Sequence, residues 1–154
     1  MRRILSVSAV VLIIIGVTLA WILSSGYNNY TVRSRLVYAV LAIGHSKSNL
    51  ESACADGTFA LKQSVKDIGI SDSDPKVHIL RVEFLRVTPN VVRLRVTLMD
   101  IYGQPFFLLF PRKAIPQGSI LEFEHTCSAE KKFSSLLIAS TVEKEYLPMH
   151  LWGR

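Results

Sequence analysis

The sequence predicts an α+β protein in which one long N-terminal helix packs on a four-stranded antiparallel sheet. Three observations predict this layout. An uncharged apolar run covers 4–23, apolar residues recur at three- and four-residue spacing within 27–50, and apolar and polar residues alternate within 91–99. The first two patterns are those of a helix, and the third is that of a strand with one buried face.

The chain divides into three parts. A cytoplasmic tip and the transmembrane half of the helix cover 1–26, the amphipathic half covers 27–57, and a β head with loops covers 58–154. A total of 154 residues leaves room for one globular unit. The net charge of +6 comes from basic residues that are mixed with Asp and Glu, a pattern that favours a solubilising surface over a dedicated nucleic-acid patch.

The run from Ile4 to Leu23 has the length of a membrane anchor. About 20 residues in a helix span roughly the 30 Å of a bilayer core. A cleavable secretory signal is the alternative interpretation, but the run ends at Trp21 and Leu23 rather than at small residues. Arg2 and Arg3 precede the span, so the N-terminus is predicted to be cytoplasmic and the head periplasmic, with the helix in the bacterial inner membrane and its lipid.

The second half of the helix is amphipathic. Gly57 is suited to a left-handed cap that ends it. Residues 24–26 leave two alternatives open: a break in the helix, with Asn28 and Thr31 capping a restart, or a helix that is bent but continuous. The apolar positions are Val32, Leu36, Val37, Val40, Leu41, Ile43 and Leu50.

The strands of the head are predicted from alternation and from turn residues. Two strands at 77–87 and 91–99 are separated by a hairpin turn at 88–90. Further strands are expected at 105–110 and 119–125. The segment 133–143 fits a strand less cleanly, and partial helix is the alternative. The polar stretch 60–76 is predicted to be a connecting loop, and the tail from Glu145 is predicted to be extended.

The two cysteines, Cys54 and Cys127, lie far apart in the sequence and form no CxxC motif. In an oxidising compartment such as the bacterial periplasm they are expected to form a disulfide.

The segment YNNYTVRSRLVYA resembles the N-terminal helix of type IV pilins, whose pattern is YxNYxxRSxxxEA. Tyr27, Asn29, Tyr30, Arg33 and Ser34 occupy the matching places. Three later stretches resemble pilin sequences in the same order: ESACADGTF at the helix exit, PFFLLFPRKAIPQGSILEFEHTC in the head, and EYLPMHLWGR at the end. Together these matches cover almost the whole chain.

The resemblance implies a pilin-like fold and a role in assembly. Its expected partners are other pilins or pilus-assembly proteins, and the assembly helix includes Tyr27, Tyr30, Leu36 and Val40. A membrane-anchored module of the same fold that binds DNA or a regulatory partner without polymerising is the alternative.

Some family positions carry other residues. Aligned on Tyr30, Arg3 replaces the leader glycine and Ser8 replaces the glutamate that draws subunits into register, so an unprocessed accessory protein is expected. Leu151 stands where the family has its last cysteine, and this too leaves Cys127 to pair with Cys54.

The sequence contains no pattern that predicts an enzyme, a cofactor, a metal site or a small-molecule substrate. No two of its histidines have metal-ligand spacing, and GxSxG and glycine-rich phosphate loops are absent. Glu122 and Glu124 are expected on one solvated strand face, and Asp72 and Asp74 in a loop. The histidines are His45, His78, His125 and His150.

Four arginines on the first two strands are a candidate anion- or DNA-binding surface. Glu83 between them, and the opposite strand parity of two of them, weigh against this interpretation. The four are Arg81, Arg86, Arg93 and Arg95.

Overall fold

The computed structural model describes residues 2–103 and 114–148, with side chains from residue 9 onward except at position 25. Helix α1 runs from Arg2 to Ala55 without interruption, so the continuous helix is the correct alternative and no helix restart occurs at Asn28. The predicted α+β layout is confirmed.

The end of α1 is fixed by the predicted glycine cap. Gly57 has φ 75°, a backbone conformation that costs glycine little. Its N–H donates to the carbonyl oxygen of Cys54 at 3.2 Å, and the N–H of Thr58 donates to that of Ala53 at 2.8 Å. These two bonds form a Schellman motif, which satisfies carbonyl groups of the last helical turn.

The strands form two antiparallel sheets. A four-stranded sheet has the order β1-β2-β5-β6, and a two-stranded sheet pairs β3 with β4. Pro89 and Asn90 make the tight turn between β1 and β2. The strands are β1 (Ile79–Thr88), β2 (Val91–Leu98), β3 (Ile101–Tyr102), β4 (Ala114–Ile115), β5 (Ile120–Cys127) and β6 (Phe133–Ser140).

Most of the predicted elements agree with these bounds, but the fourth strand of the main sheet is not one of the four segments that were clearly predicted as strands. The alternative of partial helix at 133–143 is wrong, because Phe133–Ser140 is an edge strand paired with β5, with one register shift along the pairing. The strand predicted at 105–110 lies outside the described residues, as does most of the predicted extended tail. The loop at 60–76 is confirmed and contains short 3-10 turns at Phe59–Leu61, Lys66–Ile68 and Pro75–Val77.

One face of the main sheet packs on α1 and forms the core. Along β2 the apolar side chains Val92, Leu94, Val96 and Leu98 are fully buried, and the residues between them are half-buried. This is the period of two that the alternation predicted. On α1 the buried positions recur every three or four residues, as a helix with one covered face requires. They are Ser24, Asn28, Val32, Leu36, Ala39, Ile43, Ser46, Leu50, Ala53 and Cys54.

Candidate functional site

The first part of α1 presents apolar side chains on every side. Between Val10 and Leu23 the large apolar side chains are 48–69% exposed, so the head covers none of this segment. Among the described residues α1 is the one helix long and apolar enough to cross a membrane, by length and composition. Trp21 and Leu23 lie at its exposed end; the side chain of Ile4 lies outside the described part.

Contact between α1 and the head begins at Ser24 and Asn28, which are 1% and 3% exposed. Asn28 lies against Gly103, which directly follows β3. Tyr27 and Tyr30, on the opposite side of the same turns, are 46% and 68% exposed. At the junction between the two parts of the helix, the head therefore covers one side of the helix and leaves the other side exposed.

Two arginines in the amphipathic half of α1 hold loops of the head. The Arg35 guanidinium donates to the backbone carbonyl oxygen of Tyr102 at 2.7 Å, and that of Arg33 donates to the carbonyl oxygen of Glu145. Next to this contact, burial raises the pKa of Tyr146, with the Glu145 side chain adding to the effect. These two arginines thus hold two regions of the chain that are far apart in sequence, at Tyr102 and Glu145, against α1.

The predicted assembly residues fall into two groups. Tyr27 and Tyr30 are exposed, whereas Leu36 is fully buried in the core between α1 and the sheet, and Val40 is half-buried against it. The head therefore covers the face of the helix on which Leu36 lies. Tyr38 and Leu41, 59% and 60% exposed, continue the open side instead.

The predicted disulfide is present between Cys54 and Cys127, with the two Cα atoms 5.6 Å apart. It joins the last turn of α1 to the end of β5. The link therefore fixes the head at the end of the helix that lies farthest from the exposed apolar segment.

The outer face of the sheet carries arginines and glutamates in alternation. Arg93 Nε lies 2.9 Å from Glu124 Oε2. Arg95 lies between Glu83 and Glu122, at 3.8 Å from each carboxylate. Glu122 and Glu124 lie on this one outer face, as expected, and are half-buried partners of arginine. The paired carboxylates offset much of the positive charge that DNA would need.

The other two arginines lie apart from this pair. Arg81 is 70% exposed and contacts Glu83 at 3.2 Å. Arg86 instead donates to the carbonyl oxygens of Phe59 and Pro89, at 2.9 Å each, and to that of Lys62. Its guanidinium also lies over the ring of Phe59, 5.8 Å from the centroid. Arg86 is therefore a structural residue that anchors the chain after α1, so the four arginines form no single ladder.

His125 is the histidine whose environment the sequence did not predict. It lies on the buried face of β5, is 1% exposed, and stacks on the Phe133 ring at 5.7 Å between centroids. Burial, with a smaller contribution from the positive charge of Lys47, lowers its pKa from 6.5 to about 4. Its alternation with Phe123 and Cys127 was the signal that could have placed it on the inner face.

The remaining residues that were considered for metal binding or catalysis lie apart from one another. His45 is exposed on α1, and His78 follows a 3-10 turn in a left-handed conformation. Asp74 caps that turn through the N–H of Lys76; His150 lies outside the described residues. Within 2–103 and 114–148, no group of three or more His, Cys, Asp or Glu side chains is placed to hold a metal ion.

Comparisons of the chain with protein-family models, with curated proteins and with solved structures found no match. The resemblance to type IV pilins therefore stays a prediction that rests on the motifs of the sequence.

Proposed function

We propose that this protein is a pilin-like membrane protein that serves as a structural or accessory subunit of a type IV pilus. The observation that carries the proposal is the division of one continuous helix. Its apolar side chains are exposed all round up to Leu23, and one face is buried by the head from Ser24 onward. The exposed segment of such a helix is suited to contact with lipid or with neighbouring helices. The head lies beyond this segment.

The proposed location is the bacterial inner membrane, with the N-terminus in the cytoplasm and the head in the periplasm. Arg2 and Arg3 before the span support this orientation. The disulfide between Cys54 and Cys127 supports an oxidising compartment for the head.

The open side of α1 is the proposed surface for contact with other subunits. It consists of Tyr27, Tyr30, Tyr38 and Leu41, which are 46–68% exposed and recur at a spacing that places them on one side of the helix. A row of large exposed side chains next to the anchor is suited to burial against a second helix.

Site-specific photocrosslinking in the native membrane tests the assembly role. A photoreactive phenylalanine analogue at Tyr30 or Tyr38 should crosslink to pilus proteins. The same analogue at Leu61, which is 72% exposed on the head, is the matched control and should give far less product. Equal products at all three positions would argue against an assembly surface on α1.

The N-terminus separates a processed subunit from an accessory protein. The residues at the family's processing positions are Arg3 and Ser8, so we expect mass spectrometry of the protein from its native membrane to find an uncut N-terminus. We also expect little of the protein in sheared surface fibres. A shortened and methylated N-terminus in fibres would instead identify a major pilin.

The second proposal is a membrane-anchored periplasmic module that binds DNA or a regulatory partner without polymerising. The replacement of the register glutamate by Ser8 favours it. For DNA, a gel-shift series in rising salt tests the full chain against a variant with Arg93→Ala and Arg95→Ala. Because glutamates pair with both arginines, we expect weak binding and no difference; a clear loss of affinity in the variant would support a DNA site.

A further inference from the structure

The exposed apolar side chains of the main sheet lie on its two edge strands. On β6, Leu136 and Ile138 are 51% and 39% exposed, and on β1, Leu85 and Val87 are 41% and 49% exposed. Every residue of the central strands β2 and β5 is buried or half-buried, and their outer face carries the paired arginines and glutamates. Clusters of exposed apolar side chains mark interaction sites, so both edges of the sheet are candidates for contact with a further strand.

Strand β6 presents free backbone groups at one edge of the sheet. The N–H of Cys127 donates toward β2, so Glu124 turns its backbone groups toward β6, and its partner Leu136 turns them toward β5. The backbone N–H and C=O groups of Ser135 and Leu137 therefore point away from the sheet. Edge strands are usually protected by charged residues or by proline, but the sequence FSSLLIAS has neither, and its register shift lies beyond Leu137.

Strand β1 has a groove along the opposite edge of the sheet. The N–H of Val82 donates to the carbonyl oxygen of Asp72 at 2.7 Å, so the loop before β1 covers the first part of this edge. Phe84 turns its backbone groups in the same direction as Val82, but within the described residues no backbone group bonds to them across this edge. Here a groove of about 610 Å³ lies between β1 and residues 63–65 of the loop. The groove gives an added strand access to these backbone groups.

We propose that β6 of one copy of this chain pairs with β1 of a second copy, so that two heads join edge to edge. Neighbouring strands of the main sheet are antiparallel throughout, so β6 and β1 of one head run in opposite directions. Two heads that have the same orientation on one membrane therefore present edges that can form an antiparallel pair. The inference rests on the membrane anchor of the proposed function, which gives all copies one orientation, and it does not require entry into a pilus.

A second copy is the partner that these two edges fit. Strand β6 brings no charge, and beside the groove of β1 the charges of Arg81 and Glu83 are already paired at 3.2 Å, so the contact leaves neither of them without its partner. Joining the edges places the exposed apolar side chains of β6 next to those of β1 on the outer face, and their burial stabilises the contact. Because the contact joins two different edges, it is head to tail, and each copy keeps one edge for another copy.

Cysteine crosslinking of the full chain in its membrane tests this contact. Both native cysteines are used in the disulfide, so a thiol-reactive crosslinker reports on introduced cysteines. Two differently tagged copies are produced together, one with Leu85→Cys and the other with Leu136→Cys, and we expect them to form a crosslinked dimer. Thr97→Cys in place of Leu85→Cys is the matched control and should give much less dimer, because Thr97 lies on the central strand β2. Dimers that form mainly between two Leu136→Cys copies would contradict the head-to-tail contact.

A proline in β6 tests the backbone pairing itself. The N–H of Ser135 points away from β5, so Ser135→Pro removes a donor to the second copy and keeps the hydrogen bonds within the head. The yield of dimer between Leu85→Cys and Leu136→Cys should fall about fivefold, the effect of about 1 kcal/mol for one hydrogen bond. Ser135→Ala keeps the N–H and should leave the yield unchanged.

Two results would overturn the proposal. They are equal dimer yields in Ser135→Pro and Ser135→Ala, and equal yields with Thr97→Cys and with Leu85→Cys. The second comparison involves no proline, so it stands even if Ser135→Pro does not fold. Crosslinking from Tyr38 on the open side of α1 tests the proposed assembly role separately, so a failure of the edge contact alone leaves that role intact.

Discussion

The backbone carbonyl oxygen of Asn28 lies 2.9 Å from the position that a β-carbon would occupy at Gly103. An added methyl group would also displace the buried Asn28 side chain, and the carbonyl group of a helix cannot move aside. Gly103 is therefore the residue that lets the chain after β3 lie directly on α1. Arg35 holds the preceding residue, Tyr102, on the same helix, so this contact joins the amphipathic half of the helix to the head.

Gly103→Ala should lower the free energy of unfolding by about 1–3 kcal/mol, the usual cost of inserting a methyl group into a closed contact. Chemical denaturation of the full chain in detergent measures it. Gly44→Ala is the matched control, because a β-carbon there meets nothing within 4 Å and alanine is the better helix former. Gly44→Ala should be neutral or stabilising, and equal effects of the two changes would contradict the close contact.

Arg86→Met should destabilise the fold by about 2 kcal/mol. It leaves the carbonyl groups of Phe59 and Pro89 without the guanidinium that now donates to them, and hydrogen bonds to charged groups are each worth about 1.5–3 kcal/mol. Arg81→Met, in the same strand, is the control, because its ion pair with Glu83 is exposed and such pairs contribute at most about 1 kcal/mol. A larger loss of stability from Arg81→Met than from Arg86→Met would contradict the structural role of Arg86.

Removing the disulfide by Cys54→Ser and Cys127→Ser should cost about 4 kcal/mol, the chain-entropy value for a sequence separation of 73. Thermal unfolding with and without reductant measures the change. Wild type plus reductant should melt like the double variant, and the variant itself should not respond to reductant. A wild-type melting temperature that reductant leaves unchanged, with the bond shown to be reduced, would contradict this stabilising role.

The sequence predicts the helix and the central strand well because their patterns are long and regular. In β2, Val92, Leu94 and Val96 alternate with polar residues, and the structure buries these three. Strand β6 is harder to predict because Leu136 and Ile138, on its outer face, are 51% and 39% exposed. With apolar residues on both faces, the period of two is lost.

The site residues depend on contacts that no local pattern contains. The alternation of His125 with Phe123 and Cys127 indicates the inner face, but its lack of a hydrogen-bond partner depends on side chains from other elements. Leu36 and Tyr30 both belong to the amphipathic segment, yet only the position of the head shows that Leu36 is covered and Tyr30 is open. Strands β3 and β4 have two residues each and are too short to show any period.

The burial of His125 makes the stability of the fold depend on pH. Its pKa is lowered from 6.5 to about 4 in the folded protein, so between these values the unfolded chain binds a proton that the folded chain does not. The free energy of unfolding therefore falls as the pH falls through this window, by about 3 kcal/mol in total for this residue. Lys47 from α1 is the charged group that acts on His125, and Ser135 and Phe133 from β6 are its uncharged neighbours.

Denaturation of wild type and His125→Leu across pH 4 to 7 isolates this contribution, because all other titrating groups are shared by the two proteins. His125→Leu should lose less stability on acidification, and the difference between the two curves should grow steadily below pH 6.5. Lys47→Met removes a charge that opposes protonation, so its own acid loss should lie between those of the wild type and His125→Leu. Parallel curves for the wild type and His125→Leu would mean that His125 is protonated equally easily in the folded and unfolded chains, which its burial against Phe133 does not allow.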